Sequence, residues 1–292
     1  MKISIGIPTY EGGASLVRTL DSIYSQKGFE NVSQVIVAVD GKKLSEKIIE
    51  KIQNSKLQVL YFDKRVGQAG RINDIFHASQ SDFLLLTNDD VIMDKRFLSN
   101  VVQTLETDVD MYCCNIQPLK PKSIIEKSLS LRDQTVGSIA GKINKGVNLL
   151  RANGRGIILS RNLYKNIELP TSVWNNDAYL YVRAAQLKSK IKYAENLVIY
   201  YRLPRKVNEY IRQHAKFAYS QKELQKYFKN DLSIHYSIPQ KTILASYLRS
   251  FFKSPFKMVG YAILYSSAYL LKGKYRPLSI GYWQTDTSTK KI

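Results

Sequence analysis

The chain has 292 residues, 44% of them hydrophobic and 23% charged, with 15 glycines and 8 prolines, a composition that excludes a disordered or fibrous protein and is long enough for one large core or two lobes. The formal net charge is +20, and residues 201–292 carry 17 Lys/Arg against 4 Asp/Glu, so +13 of it lies in the C-terminal third and calls for an anionic partner. The two cysteines, Cys113 and Cys114, are neighbours, which argues against a disulfide framework and for a reducing cytosol. His77, His214 and His235 lack metal-ligand spacing.

The opening "MKISIGIPTY" lacks the apolar core and cleavage site of a signal peptide and enters a strand at once. "ASLVRTLDSIYSQ" has helical periodicity, with Leu16, Leu20, Ile23 and Tyr24 on one face. "SQVIVAVDG" reads as a buried strand ending in an acidic turn, "LSEKIIEKIQN" as an amphipathic helix and "LQVLYFD" as a further strand. "GQAGRINDIFHAS" is a glycine-started helix, and "DFLLLTNDD" a strand that runs straight into two carboxylates. Strands and helices alternating in this way predict crossover units and a mainly parallel sheet covered on both faces. Ligands of such sheets bind beyond the carboxyl ends of the strands. Residues 8–11, Asp40 with Gly41, and residues 87–90 all fall there, so three polar tips are expected at one edge.

Beyond residue 116 the pattern loosens. "NGRGIILS" reads as a short strand, "NDAYLYVRAAQL" as a helix, "IKYAENLVIYYRLP" as a strand and "VNEYIRQHAKFAYSQKELQKYF" as a long basic helix. Residues 258–271 are uncharged, a run shorter than the ~20 residues that a helix needs to span a bilayer. A buried helix and an interfacial or re-entrant one both fit. Lys253, Lys257, Lys272, Lys274 and Arg276 around the run favour the membrane interface.

Seven motifs occur in order: "IPTYE", "VAVDG", "GQAGRIN", "LLLTNDDVIMDKRFL", "GRGIILSRNLY", "NNDAYL" and "RQHAKF". Together they resemble the family 2 glycosyltransferases, inverting enzymes of the GT-A fold, over residues 3 to about 220. The resemblance implies a single Rossmann-like, mixed and mainly parallel sheet flanked by helices, with a C-terminal helical extension. It divides the GT-A part into a nucleotide-sugar-binding half (1–115) and an acceptor-binding half (116–225), and the charge and apolar run of the remainder add a basic, helical, membrane-associating region (226–292).

Mapped residue by residue, the resemblance implies that Pro8, Tyr10 and Glu11 line the nucleoside and that Asp40 accepts a hydrogen bond from the base. A turn aspartate before Gly41 is the structural alternative. Where the family typically carries Asp-x-Asp, this chain has Thr87, Asn88 and Asp89. Asp89 then inherits a divalent cation, Mg²⁺ or Mn²⁺, and Asn88 the ribose, with Asp90 as a second-choice ligand or helix cap. Arg71 would add charge beside the diphosphate. In "NNDAYL" Asn176 stands where the family commonly has Glu, and Asp177 remains as the general base, or else as a helix cap. Gly154 and Gly156 match a small-residue turn near the sugar. Gln213, Lys216 and Phe217 resemble Gln-x-x-Arg-Trp with Lys for Arg and Phe for Trp, which places them on the diphosphate or acceptor side without bidentate phosphate geometry.

The function expected is transfer of a sugar from a nucleotide-sugar donor, a UDP-sugar first, to a lipid-linked or cell-surface glycan acceptor in polysaccharide biosynthesis. The enzyme would sit peripherally on the inner face of the cell membrane, bound to its anionic surface, and would have no nucleic-acid partner. A nucleic-acid-binding protein would explain the charge, but no motif of that kind occurs. A non-catalytic scaffold retaining the fold is kept open by Asn88 and Asn176. A nucleotidyltransferase would carry a basic loop after the first strand, whereas "PTYEGGASL" has no base before Arg18. Sugar, acceptor and oligomeric state stay open.

Overall fold

The computed structural model describes residues 1–10, 12–41, 43–229, 231–275 and 288–290; Glu11 and Arg276 lie outside them. The strands are β1 (Ile3–Thr9), β2 (Val32–Asp40), β3 (Leu57–Phe62), β4 (Phe83–Leu86), β5 (Val91–Met93), β6 (Met111–Pro118), β7 (Ile157–Ser160) and β8 (Ile191–Tyr201). They form one sheet in the order β3-β2-β1-β4-β7-β6-β8-β5. Its first four strands are parallel, β7 runs antiparallel to both β4 and β6, β8 is parallel to β6, and β5 closes the edge antiparallel to β8. The sheet is therefore mixed and mainly parallel, as the sequence predicts. Because β2, β1 and β4 are adjacent and parallel, the tips of all three meet at one edge.

Strand residues alternate between two apolar layers. Val35, Val37 and Val39 face one layer with Ile5, Ile7, Leu16 and Leu20, while Ile36 and Ala38 face the other with Ile72, Ile75, Phe76 and Leu84. The helices that cover the sheet include α1 (Gly13–Tyr24), α2 (Glu46–Ile52), α3 (Gly67–Ala78), α4 (Phe97–Thr104), α6 (Arg161–Asn166) and α7 (Asn176–Gln186). α3 lies so close to β1 that a Cβ at Gly6 would stand 2.4 Å from Ile75 Cγ2, which only glycine tolerates. Cys113 and Cys114 fall in opposite layers, both buried and free. Burial pushes the Cys113 thiol up to about 12 and Cys114 upward as well, so both behave as inert apolar side chains.

A third apolar cluster lies outside the sheet, among α5 (Ile124–Gly141), α8 (Val207–Phe228) and α11 (Pro255–Leu271). α9 (Asp231–Tyr236) and α10 (Gln240–Lys253) complete the C-terminal region. β6 and α5 have no counterpart among the expected elements, and the expected division at residue 115 falls inside β6. α5 has a weak apolar stripe but a full capping box. Ser123 Oγ accepts from the Glu126 amide, and Glu126 Oε2 accepts from the amide of Ser123 at 2.8 Å.

Candidate functional site

The acidic tips are ordered by long-range contacts. At the end of β1, Thr9 Oγ1 donates to Asp89 Oδ2 (2.6 Å) and accepts from the Gly12 amide (3.1 Å), so β1 fixes the carboxylate that follows β4. Thr87 Oγ1 donates to the Arg155 carbonyl (2.7 Å), tying the same tip to the loop before β7. Asn88 Oδ1 accepts from Gln68 Nε2 at 3.1 Å. Asp90 is buried, and its Oδ1 has no hydrogen-bond partner among the described residues. Burial pushes its carboxyl up, opposed by the charges of Arg155 and Lys290.

Asp40, at the end of β2, accepts from the amides of Val66 (2.9 Å) and Gly67 (3.0 Å), where α3 begins and Gly67 has φ 86°. The carboxylate thus satisfies amides at the positive end of that helix. Arg71, expected beside a diphosphate, is buried instead. Its guanidinium stacks on Phe62 at 3.6 Å and pairs with Asp40 (3.5 Å) and Asp74 (3.2 Å). Pro8 is buried in β1, and Tyr10, just beyond it, is half-buried with the Arg65 guanidinium 3.9 Å from its ring centroid. Arg65 also lies 3.7 Å from Asp40, so Tyr10, Arg65 and Asp40 adjoin one another. Glu11 cannot be assigned a place beside them, since it lies outside the described residues.

On the other half of the sheet, the cap of α7 is Asn175, whose side chain accepts from the Ala178 amide at 3.2 Å. Asp177 shares that amide, its Oδ1 accepting from Ala178 at 3.1 Å from within the first turn. Its Oδ2 accepts from the Gly154 amide at 2.9 Å, which joins α7 to the loop before β7. Gly156, in the same loop, is a packing glycine: a Cβ there would meet Ile199 Cδ1 at 2.7 Å and Cys114 Cβ at 2.9 Å. On α8, Gln213 and Lys216 are half-buried and Phe217 is 54% exposed.

Sequence reasoning passed over Thr9, Arg65, Arg155 and, above all, Lys290. The described C-terminal residues, 288–290, reach the edge formed by the strand tips. Lys290 Nζ pairs with Asp89 Oδ1, its carbonyl accepts from Arg18 on α1 (3.0 Å), and the Ser288 amide donates to Glu209 on α8 (3.1 Å). Burial works to lower the Lys290 ammonium, but Asp89 and Asp90 outweigh it and hold it above its usual value. A tail lysine some 200 positions from its partner carries no local pattern; Thr9 and Arg155, inside quoted motifs, were within reach.

Asp89 accepts an ammonium and Asp90 presents an orphaned oxygen, so the pair suits a hard cation. Among the described residues no group of three or more His, Cys, Asp or Glu adds to them. A cation held there would keep positions for phosphate oxygens and water, as Mg²⁺ and Mn²⁺ prefer.

Known proteins of the same shape exist. The mannosyltransferase PcManGT from Pyrobaculum calidifontis, solved with GDP-Man and Mn²⁺, is similar over 92% of this chain and 75% of its own, with TM-score 0.56 and 15% identity. S. aureus TarS 1-349 in complex with UDP-GlcNAc is similar over 92% of each chain, with TM-score 0.55 and 16% identity. At such identities the likeness is one of fold, and that fold is GT-A. No curated protein matches the sequence. The family described as glycosyl transferase family 2 matches residues 4–167, which is more than half of the chain and includes the three polar strand tips. The protein belongs to glycosyl transferase family 2.

Proposed function

We propose that this glycosyltransferase is an inverting, metal-dependent enzyme that moves a sugar from a UDP-sugar to a lipid-linked or cell-surface glycan acceptor at the cytoplasmic face of a membrane. The observation that carries the reading is Asp89, held by Thr9 across two parallel strand tips at the edge shared with Asp40. PcManGT with GDP-Man and Mn²⁺, and TarS with UDP-GlcNAc, support a nucleotide-sugar donor.

In this reading Pro8, Tyr10 and Arg65 wall the nucleoside. Asp40, ordered by the α3 amides, keeps lone pairs for a donor group of the base. Arg71 acts through Asp40, and Asn88 faces the ribose. Asp89, with Asp90 beside it, would hold the divalent cation, which when bound supplies charge to the leaving diphosphate. Arg155 adds positive charge at the same place. Asp177, oriented by the Gly154 amide, takes the proton of the acceptor hydroxyl. That oxygen bonds to the anomeric carbon from the face opposite the diphosphate, which departs with the electron pair, and the configuration inverts. Gln213, Lys216 and Phe217 contribute on the acceptor side.

The test is a screen of UDP-, GDP- and dTDP-sugars for nucleotide release with Mg²⁺ or Mn²⁺. Release from one donor, lost in chelator, is expected. No release from any of them, with no nucleotide binding, overturns the reading and favours a scaffold.

A further inference from the structure

α11 is apolar on two opposite faces. Its inner face, through Met258, Tyr261, Leu264 and Ala268, packs on α5 and α8. The fit is close: a Cβ at Gly260 would stand 2.6 Å from Ser128 Oγ on α5. α10 is seated on α5 too, through Ser250 Oγ against Thr135 Oγ1 (2.7 Å) and Ser246 Oγ accepting from Lys142 Nζ (3.3 Å). The two helices also pack on each other, and each leaves its other face exposed.

Those outer faces are hydrophobic. Phe256 is 91% exposed, Phe252 and Leu270 are 79% exposed, and Leu244 and Ile263 are 63% exposed. Phe256, Ile263 and Leu270 recur every seven residues along one face of α11, and an apolar stripe of this kind is rarely left in water without a partner. The same two helices and the turn after them carry Lys241, Arg249, Lys253, Lys257, Lys272 and Lys274, and no Asp or Glu occurs between Asp231 and Asp286. Exposed aromatic and aliphatic groups on helices whose charges are all basic match the chemistry of anionic headgroups over acyl chains.

We propose that the outward faces of α10 and α11 form a docking surface for an anionic lipid bilayer, on which the enzyme rests without crossing it. At 17 residues α11 is about 26 Å long, below the ~30 Å hydrocarbon core, and its inner face is committed to α5 and α8. Among the described residues no helix is long and apolar enough to cross a membrane. The surface deepens the lipid-acceptor reading by naming where the membrane sits, and it stands or falls without any donor.

The experiment is vesicle flotation of the full chain with phosphatidylcholine alone and with equal parts phosphatidylcholine and phosphatidylglycerol, at low and high salt. The protein should float with the mixed vesicles and much less at high salt or with the neutral ones. Combining Phe252→Ser, Phe256→Ser, Ile263→Ser and Leu270→Ser should lower partitioning by about a hundredfold or more, with circular dichroism and nucleotide release unchanged. Lys253→Gln with Lys257→Gln should weaken binding and flatten its salt dependence, a readout that does not require the apolar variant to fold. Wild type that stays at the bottom with both vesicles at low salt overturns the proposal. So does a serine variant that floats as well as wild type. A wild-type dimer that the serine variant dissociates, without vesicle binding by either, assigns the face to a second copy of this chain instead. Nucleotide release is scored separately, so wild-type protein that releases nucleotide but does not float refutes the surface and leaves the proposed reaction standing.

Discussion

Replacing Asp40 by Ala should destabilise the protein strongly before any effect on donor binding is considered. The carboxylate is buried and accepts two backbone amides at 2.9 and 3.0 Å, and Arg71, equally buried, lies 3.5 Å away. Alanine would orphan two amides at the start of α3 and leave Arg71 with Asp74 as its remaining carboxylate contact among the described ion pairs. Breaking a buried pair of this kind costs about 3–5 kcal/mol. With unfolding entropy near ~2.1 cal/mol/K per residue, a chain of this length should lose about 5–8 °C in Tm. Asp40→Asn keeps one acceptor oxygen and should lose roughly half as much. Thermal denaturation followed by circular dichroism at neutral pH measures both, with UDP titration of each folded variant alongside. An alanine variant melting within about one degree of wild type would show that the α3 contacts carry no weight and would refute the reasoning.

Asp89→Ala should abolish transfer and metal-dependent nucleotide binding, while Lys290→Ala, by removing the ammonium on Asp89, should tighten Mn²⁺ binding; calorimetry with UDP and Mn²⁺ reads both, and unchanged metal affinity in either speaks against its assignment. Asp177→Asn should lower turnover by about 10² or more with donor affinity near wild type, whereas equal losses in both would make Asp177 structural. Gly156→Val should cost about 1–3 kcal/mol through overpacking against Ile199 and Cys114, visible as a lower midpoint in urea, and an unshifted midpoint would mean that the loop relaxes freely. Glu223 has its carboxyl raised by burial, with its Oε2 accepting from the Trp174 amide at 3.0 Å. Its raised native pKa favours folding at low pH, and that contribution is lost as pH rises through it; Glu223→Gln, which can still accept, should melt higher than wild type at neutral pH and converge with it at acid pH. A Tm difference independent of pH would contradict the burial argument.

The strand tips and the carboxylates on them were legible in the sequence because they are local. Runs such as "SQVIVAVDG" and "DFLLLTNDD" are continuous apolar segments that end abruptly in carboxylates, and their spacing by helical periods dictates a parallel arrangement with those ends on one edge. α8 likewise follows its own periodicity. By contrast, β6 and α5 escaped notice. β6 carries two cysteines and an asparagine in place of a β-branched run, and α5 is held mainly by its cap and by the C-terminal helices. Asp40 shows the limit most clearly. A turn aspartate and a nucleobase acceptor look alike in one dimension, and only the docking of α3 beside β2 brings the Val66 and Gly67 amides and Arg71 onto its oxygens. The same holds for Asp177, which shares the Ala178 amide with Asn175 and takes the Gly154 amide from the loop before β7, and for Lys290, whose charge reaches Asp89 from the other end of the chain. For residues 258–271 the sequence determined the apolarity all round and the basic flanks. Which half of that surface is covered was decided by where α5 and α8 stand, because burial is a property of packed neighbours and is not carried by the run of side chains itself.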